Sequence, residues 1–79
     1  MNNIEKYNKI FTEVFGIAPT ELSDTFSKDN VEQWDSVHQL NLVNLAEDTF
    51  DVMLDPEDIM AFTSYGKGKE ILSNQGIEF

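Results

Sequence analysis

Two long stretches of the chain repeat apolar residues at helical spacing, and a long stretch without such a period separates them. In the first stretch the apolar residues recur every three or four positions and share one helical face: Ile4, Tyr7, Ile10, Phe11, Val14 and Phe15. Asn2 with Glu5 three residues later resembles a capping box, and Gly16 suits the position after a helix end. The pattern therefore predicts a first helix from Asn2 to Phe15.

The stretch from Ile17 to Trp34 follows neither the helical nor the strand period and is rich in turn-forming residues. A structureless loop of this length is unusual inside a compact domain. Apolar residues recur along it at intervals that would pin it to a core: Ile17, Leu22, Phe26, Val31 and Trp34. We therefore expect a packed connecting loop, with a short helical turn near Thr20–Ser23.

Three further helices are predicted after the loop: Ser36–Asp51, Pro56–Ala61, and a last one from Thr63 or Ser64 to about Ser73. Asp55 is a good N-cap for the short helix. Gly66 and Gly68 should weaken the last helix by roughly 1 kcal/mol each relative to alanine, and the tail from Asn74 is expected to fray. The predicted fold is all-α: a single domain, residues 1–79, forming a small antiparallel bundle of three long helices plus one short helix, with the long loop between the first two long helices.

Charge and composition exclude several classes of function. Acidic residues outnumber basic ones 15 to 5, which gives a formal charge of −10, so binding to nucleic acid or to an anionic membrane surface is not expected. There is no cysteine and one histidine, His38, so neither a thiolate nucleophile nor a metal site is expected. No export signal precedes the first helix, and we expect a cytoplasmic protein. A core this small favours a carrier or binding module over an enzyme.

Two capping residues stand side by side at the start of the second helix, Asp35 and Ser36. If Ser36 is the cap, Ser36 and Gln39 would form a capping box. If Asp35 is the cap, the Ser36 hydroxyl is free in the first turn. A phosphate attached there would lie at the positive end of the helix dipole. Both arrangements fit the residues.

The second helix has a broad apolar arc opposite a polar one. The apolar arc carries Leu42, Val43, Leu45, Ala46 and Phe50, and the polar arc carries Asn41, Asn44, Glu47, Asp48 and Asp51. Val37 and Leu40 fall on the polar arc close to Ser36. They would form an apolar docking centre with Glu47 and Asp48 as a charged rim. Alternatively, Trp34 or Phe26 of the loop would simply cover them.

At these residues the chain resembles the acyl carrier proteins, a family that shares its fold with peptidyl carrier domains. The resemblance extends over roughly Ile4 to Leu72. It rests on the long first helix, the packed loop and three local motifs: Asp35-Ser36-Val37, Glu47-Asp48-Thr49-Phe50 and Asp55-Pro56.

The resemblance implies a non-catalytic carrier. Ser36, preceded by Asp35, would hold 4′-phosphopantetheine added from coenzyme A by a phosphopantetheinyl transferase. The arm's thiol would carry an acyl group as a thioester between acyl-loading and acyl-accepting enzymes of a biosynthetic pathway. Those partners would dock on the patch defined above. Met60 would either join this patch at the mouth between the second and third helices or pack in the core. A monomer is expected.

The chain departs from the family pattern at three positions near the attachment end. His38, Asn41 and Asn44 are uncharged where fatty-acid carriers commonly have acids, which puts use by fatty-acid synthase enzymes in doubt. Two alternatives stay open: a helical interaction adaptor in which Ser36 is only a cap, and a carrier of an aminoacyl group.

Overall fold

A computed structural model describes residues 2–79 of the chain. Within them the protein forms four α-helices and no strand: α1 (Asn3–Phe15), α2 (Ser36–Phe50), α3 (Pro56–Ala61) and α4 (Tyr65–Asn74). In the main packing contacts α1 lies against α2 and α3 lies against α4. The predicted fold class, an all-α bundle of three long helices and one short one, is confirmed. None of the helices in this part of the chain is long and apolar enough to cross a membrane.

Local capping chemistry fixes most helix ends. Asn2, Asp55 and Ser64 each accept a hydrogen bond, through a side-chain oxygen, from the backbone N–H three residues later, in every case at 2.9 Å. Gly16 ends α1 in the left-handed conformation, with φ of 65°. Asp51, predicted as the last residue of α2, lies just beyond it with φ of 53°.

The connection between α1 and α2 is a packed loop, as expected, and it includes a short 3-10 turn at Pro19–Glu21. The Trp34 side chain is buried and the Phe26 side chain is partly buried, and both rings contact those of Phe11 and Phe15 on α1. The Phe26 ring centroid is 5.3 Å from that of Phe15 and 5.9 Å from that of Trp34. These aromatic contacts hold the loop against the bundle.

Backbone hydrogen bonds also tie this loop to the connection between α3 and α4. The Lys28 N–H donates to the Thr63 carbonyl and the Tyr65 N–H donates to the Phe26 carbonyl, both at 2.8 Å. Between these two bonds, Ser27 and Ser64 form an antiparallel bridge. We call this pair of short segments the loop clamp. The loop clamp gives Lys28 a defined backbone position, although this residue lies in a loop and not in a helix.

Gly68 lies where α4 approaches the core most closely. A Cβ added there would lie 2.6 Å from Phe62 Cζ and would also collide with the Tyr7 hydroxyl. The Tyr7 hydroxyl donates to the Tyr65 carbonyl at 2.5 Å, and burial raises the pKa of Tyr7. Gly68 therefore lowers intrinsic helix propensity, as expected, but it also makes room for two buried aromatic side chains.

Most residues of the tail after α4 are exposed, but the tail keeps contacts with the bundle that the expectation of fraying did not include. The Asn3 side-chain amide donates to the Glu78 carbonyl at 2.9 Å. The Phe79 ring centroid lies 5.2 Å from that of Tyr7 and 6.0 Å from that of Phe50. The tail therefore returns to α1 and α2, a tertiary contact that local sequence does not reveal.

Candidate attachment site and docking surface

Asp35, and not Ser36, is the N-cap of α2. Asp35 Oδ1 accepts a hydrogen bond from the His38 N–H at 2.9 Å and lies 2.8 Å from His38 Nδ1. The backbone hydrogen bond from His38, followed by the side-chain one, lowers the pKa of the Asp35 carboxyl. The exposed Asp35 carboxylate is thus hydrogen-bonded to His38 in the first turn of α2.

Ser36 is the first helical residue and is exposed. No hydrogen bond joins its hydroxyl to any of residues 2–79. The positive end of the α2 dipole lies at this position, where it favours a negatively charged group. Of the two arrangements that the sequence left open, the structure therefore has the one in which the Ser36 hydroxyl is free.

Ser36 opens onto a shallow groove between α2, α3 and the loop. The groove has a volume of about 300 Å³ and is lined, besides Ser36, by Lys28, Gln39, Leu40, Ile59 and Met60. The Gln39 side-chain amide donates to the Ile59 carbonyl at 2.8 Å, which ties the first turns of α2 to α3. The groove is thus mainly apolar, with a cation, an amide and a hydroxyl along it.

Large apolar side chains are exposed around this groove. The exposed fractions are 64% for Val37, 52% for Leu40 and 76% for Met60. The loop does not cover Val37 or Leu40, because Trp34 points into the core instead. Met53, in the connection after α2, is 84% exposed. The exposure of Met53 was not predicted from the sequence, because this residue lies between two helices and belongs to no periodic pattern.

The two acidic residues expected at the rim have different surroundings. Glu47 is half-buried, and its Oε2 accepts a hydrogen bond from the Leu54 N–H at 2.9 Å. Its carboxylate therefore stabilises the connection between α2 and α3. Asp48 is exposed and forms no ion pair within residues 2–79. Asp48 is the better candidate for a charge that meets a partner.

His38 links the start of α2 to α1. Its ring stacks on that of Phe15, with centroids 5.4 Å apart and an interplanar angle of 10°. Together with the Asp35 contact, this stacking gives the first turn of α2 a fixed orientation. His38 thus has a structural role beside Ser36.

Lys28 is the residue at this site that sequence reasoning missed. It is eight positions from Ser36 in a loop without periodicity, and only the loop clamp brings it to the groove. Its ammonium group forms no salt bridge within residues 2–79.

No known protein family matches the chain, and no curated protein matches it either. The start of α2 offers a free hydroxyl beside exposed apolar side chains, and Lys28 of the loop lines the same groove as that hydroxyl.

Proposed function

We propose that the protein is an acyl carrier protein in which Ser36 carries 4′-phosphopantetheine. The observation that supports this most is the division of roles at the start of α2, where Asp35 caps the helix and leaves the Ser36 hydroxyl exposed and unbonded. A serine used only as a cap would have its oxygen turned onto the backbone. Instead, this oxygen is accessible to a transferase.

The residues around Ser36 fit a phosphodiester followed by a long flexible arm. The helix dipole and Lys28 favour the negative charge, and the groove gives the arm both apolar and amide surface. When attached, the arm supplies the thiol that holds an acyl group as a thioester. The chain has no cysteine of its own, and its residues serve to attach the arm, present it and bind partners.

The exposed apolar patch suits docking of the enzymes that load and unload a carrier. Val37 follows the attachment residue directly, and Leu40 lies one turn further along the same face of α2. Burying such side chains at the centre of an interface contributes most of the binding energy, whereas charges at the rim mainly set the association rate. A net charge of −10 favours partners with basic surfaces.

The second candidate function is a helical adaptor without a prosthetic group. The same exposed side chains, Val37, Leu40 and Met60, support it, because an apolar patch on a small monomer commonly marks a protein-binding site. An adaptor leaves the free Ser36 hydroxyl without a role, so we favour the carrier. The cargo, acyl or aminoacyl, would be chosen by the loading enzyme.

Intact mass spectrometry separates the carrier from the adaptor. The purified protein is incubated with coenzyme A and a broad-specificity phosphopantetheinyl transferase, and the mass is followed over time. A carrier gains one phosphopantetheinyl group per chain, and the bound arm then accepts a thiol-reactive probe. If the mass never changes while a known carrier in the same tube is fully converted, the adaptor is favoured.

A further inference from the structure

Lys28 and Ser36 line the same groove, although they belong to different elements. The remaining groove side chains are uncharged: Gln39, Leu40, Ile59 and Met60. In a chain with only 5 basic residues and a net charge of −10, a cation beside the candidate attachment residue is a specific feature. The Lys28 ammonium group forms no salt bridge among residues 2–79, so a structural ion pair does not account for its place in the groove.

The loop clamp fixes the backbone from which Lys28 projects. The Lys28 N–H is bonded to Thr63, and the bridge between Ser27 and Ser64 lies next to it. On the opposite wall, the bond between Gln39 and Ile59 joins α2 to α3. A lysine whose backbone is already fixed loses less conformational freedom on binding than one on a mobile loop.

An anion on Ser36 would lie next to a carboxylate. Asp35 is the adjacent residue, is exposed and is negatively charged at neutral pH like an ordinary aspartate, and hydrogen bonds from His38 lower its pKa further. Negative charges on two adjacent residues repel each other, even with solvent screening. A nearby cation would offset that repulsion, and Lys28 is the cation that lines the groove.

We propose that Lys28 is a positioning residue that pairs with the phosphodiester on Ser36 and directs the attached arm along the groove past Leu40, Ile59 and Met60. This inference rests on the proposed carrier function. The alternative course for the arm is straight into solvent from the end of α2. The pairing would make the arm's position depend on the charge at residue 28.

The test compares apo and modified protein by amide NMR and by phosphorus NMR. Wild type, Lys28→Met, Lys28→Arg and the control Lys9→Met are each converted with coenzyme A and transferase, and conversion is checked by mass. Lys28→Met keeps most of the side chain's length without its charge. Lys9 is an exposed residue paired with Glu13 on α1, and it does not line the groove.

In wild type, Lys28→Arg and Lys9→Met, modification should shift the amide signals of Ile59 and Met60 as well as those of Ser36 and Val37. In Lys28→Met, the Ile59 and Met60 shifts should fall to less than half, and the phosphorus signal should lose its dependence on salt concentration. Identical shifts in wild type and Lys28→Met would overturn the role of Lys28 and leave the carrier function standing. Absence of any mass gain in wild type would overturn both.

Discussion

At the start of α2, two adjacent residues that are both good helix caps have different roles. Asp35 accepts the hydrogen bond from the His38 N–H, and Ser36 begins the helix with its hydroxyl exposed. The Asp35 carboxylate also contacts the His38 ring, so one side chain bonds both the backbone N–H and the ring nitrogen of the same residue. The arrangement therefore follows from the chemistry of the two side chains and determines which of them is accessible.

The two glycines of α4 should respond in opposite directions to the same substitution. A Cβ at Gly66 would meet only the Asp24 carboxylate, at 3.4 Å, whereas at Gly68 it would collide with Tyr7 and Phe62. We expect Gly66→Ala to raise the free energy of unfolding by up to about 1 kcal/mol through helix propensity. We expect Gly68→Ala to lower it by about 1–3 kcal/mol through overpacking.

Urea unfolding followed by circular dichroism measures both changes, and each glycine variant is the control for the other. If Gly68→Ala is as stable as Gly66→Ala, the close approach of Tyr7 and Phe62 to α4 is wrong. A loss of stability in both variants would instead contradict the ordinary contact that Gly66 makes with Asp24.

Among the elements, those determined by neighbouring residues were predictable from the sequence. The bounds of α3 agree with the prediction because Asp55 and Pro56 are local start signals. The contacts that depend on residues far apart in the chain were not predictable. The space at Gly68 and the packing of Phe79 on Tyr7 both depend on where other elements lie.

The loop between α1 and α2 should lose its anchoring when Phe26 is truncated. The Phe26 ring contacts those of Phe15 and Trp34 edge-on or tilted. We expect Phe26→Ala to lower the free energy of unfolding by about 2 kcal/mol, below the cost for a fully buried phenylalanine, because the ring is only half-buried. The emission of Trp34, the single tryptophan, should move to longer wavelength as water reaches it.

Met53→Ala is the control for that measurement, because Met53 is exposed and outside the core. It should leave both the stability and the tryptophan emission unchanged. An unchanged emission in Phe26→Ala would contradict the packed loop, and with it the fixed position of the Lys28 backbone.

At the scale of the whole molecule, compact size and high negative charge determine how partners meet the protein. The radius of gyration of 11.3 Å is close to the value of about 11.6 Å expected for a compact chain of this length. On so small a body, three of the exposed large apolar side chains, Val37, Leu40 and Met60, belong to the region around Ser36, and the whole chain carries a net charge of −10. Long-range attraction and short-range apolar contact can therefore be tested separately.

Val37→Asp and Asp48→Asn separate the two contributions to docking. We expect Val37→Asp to slow modification of Ser36 by about tenfold, equivalent to about 1.4 kcal/mol, because it places a charge at the apolar centre. Asp48→Asn should have a smaller effect that disappears at moderate salt. Transferase rates at low and moderate salt provide the comparison. Equal effects from both variants at every salt concentration would contradict a docking centre at Val37.

The candidate site was only partly predictable from the sequence, because some of its contacts join residues that are far apart in the chain. Val37 and Leu40 were accessible to sequence reasoning because helical periodicity places them beside Ser36, and their exposure agrees with that expectation. The hydrogen bond from the Leu54 N–H to the Glu47 carboxylate was not predicted, because it depends on the path of the chain after α2. Lys28 reaches the groove only through backbone bonds between segments more than thirty residues apart.

The most direct test of the central claim is to locate the added group on the chain. Wild type, Ser36→Ala and the control Ser73→Ala, which removes another exposed helical serine, are treated with coenzyme A and transferase and then mapped by tandem mass spectrometry of peptides. We expect the phosphopantetheinyl mass on Ser36 in wild type and Ser73→Ala, and no modification of Ser36→Ala despite an unchanged helical circular dichroism spectrum. Modification of Ser36→Ala, or none of wild type, would contradict the assignment of Ser36 as the attachment residue.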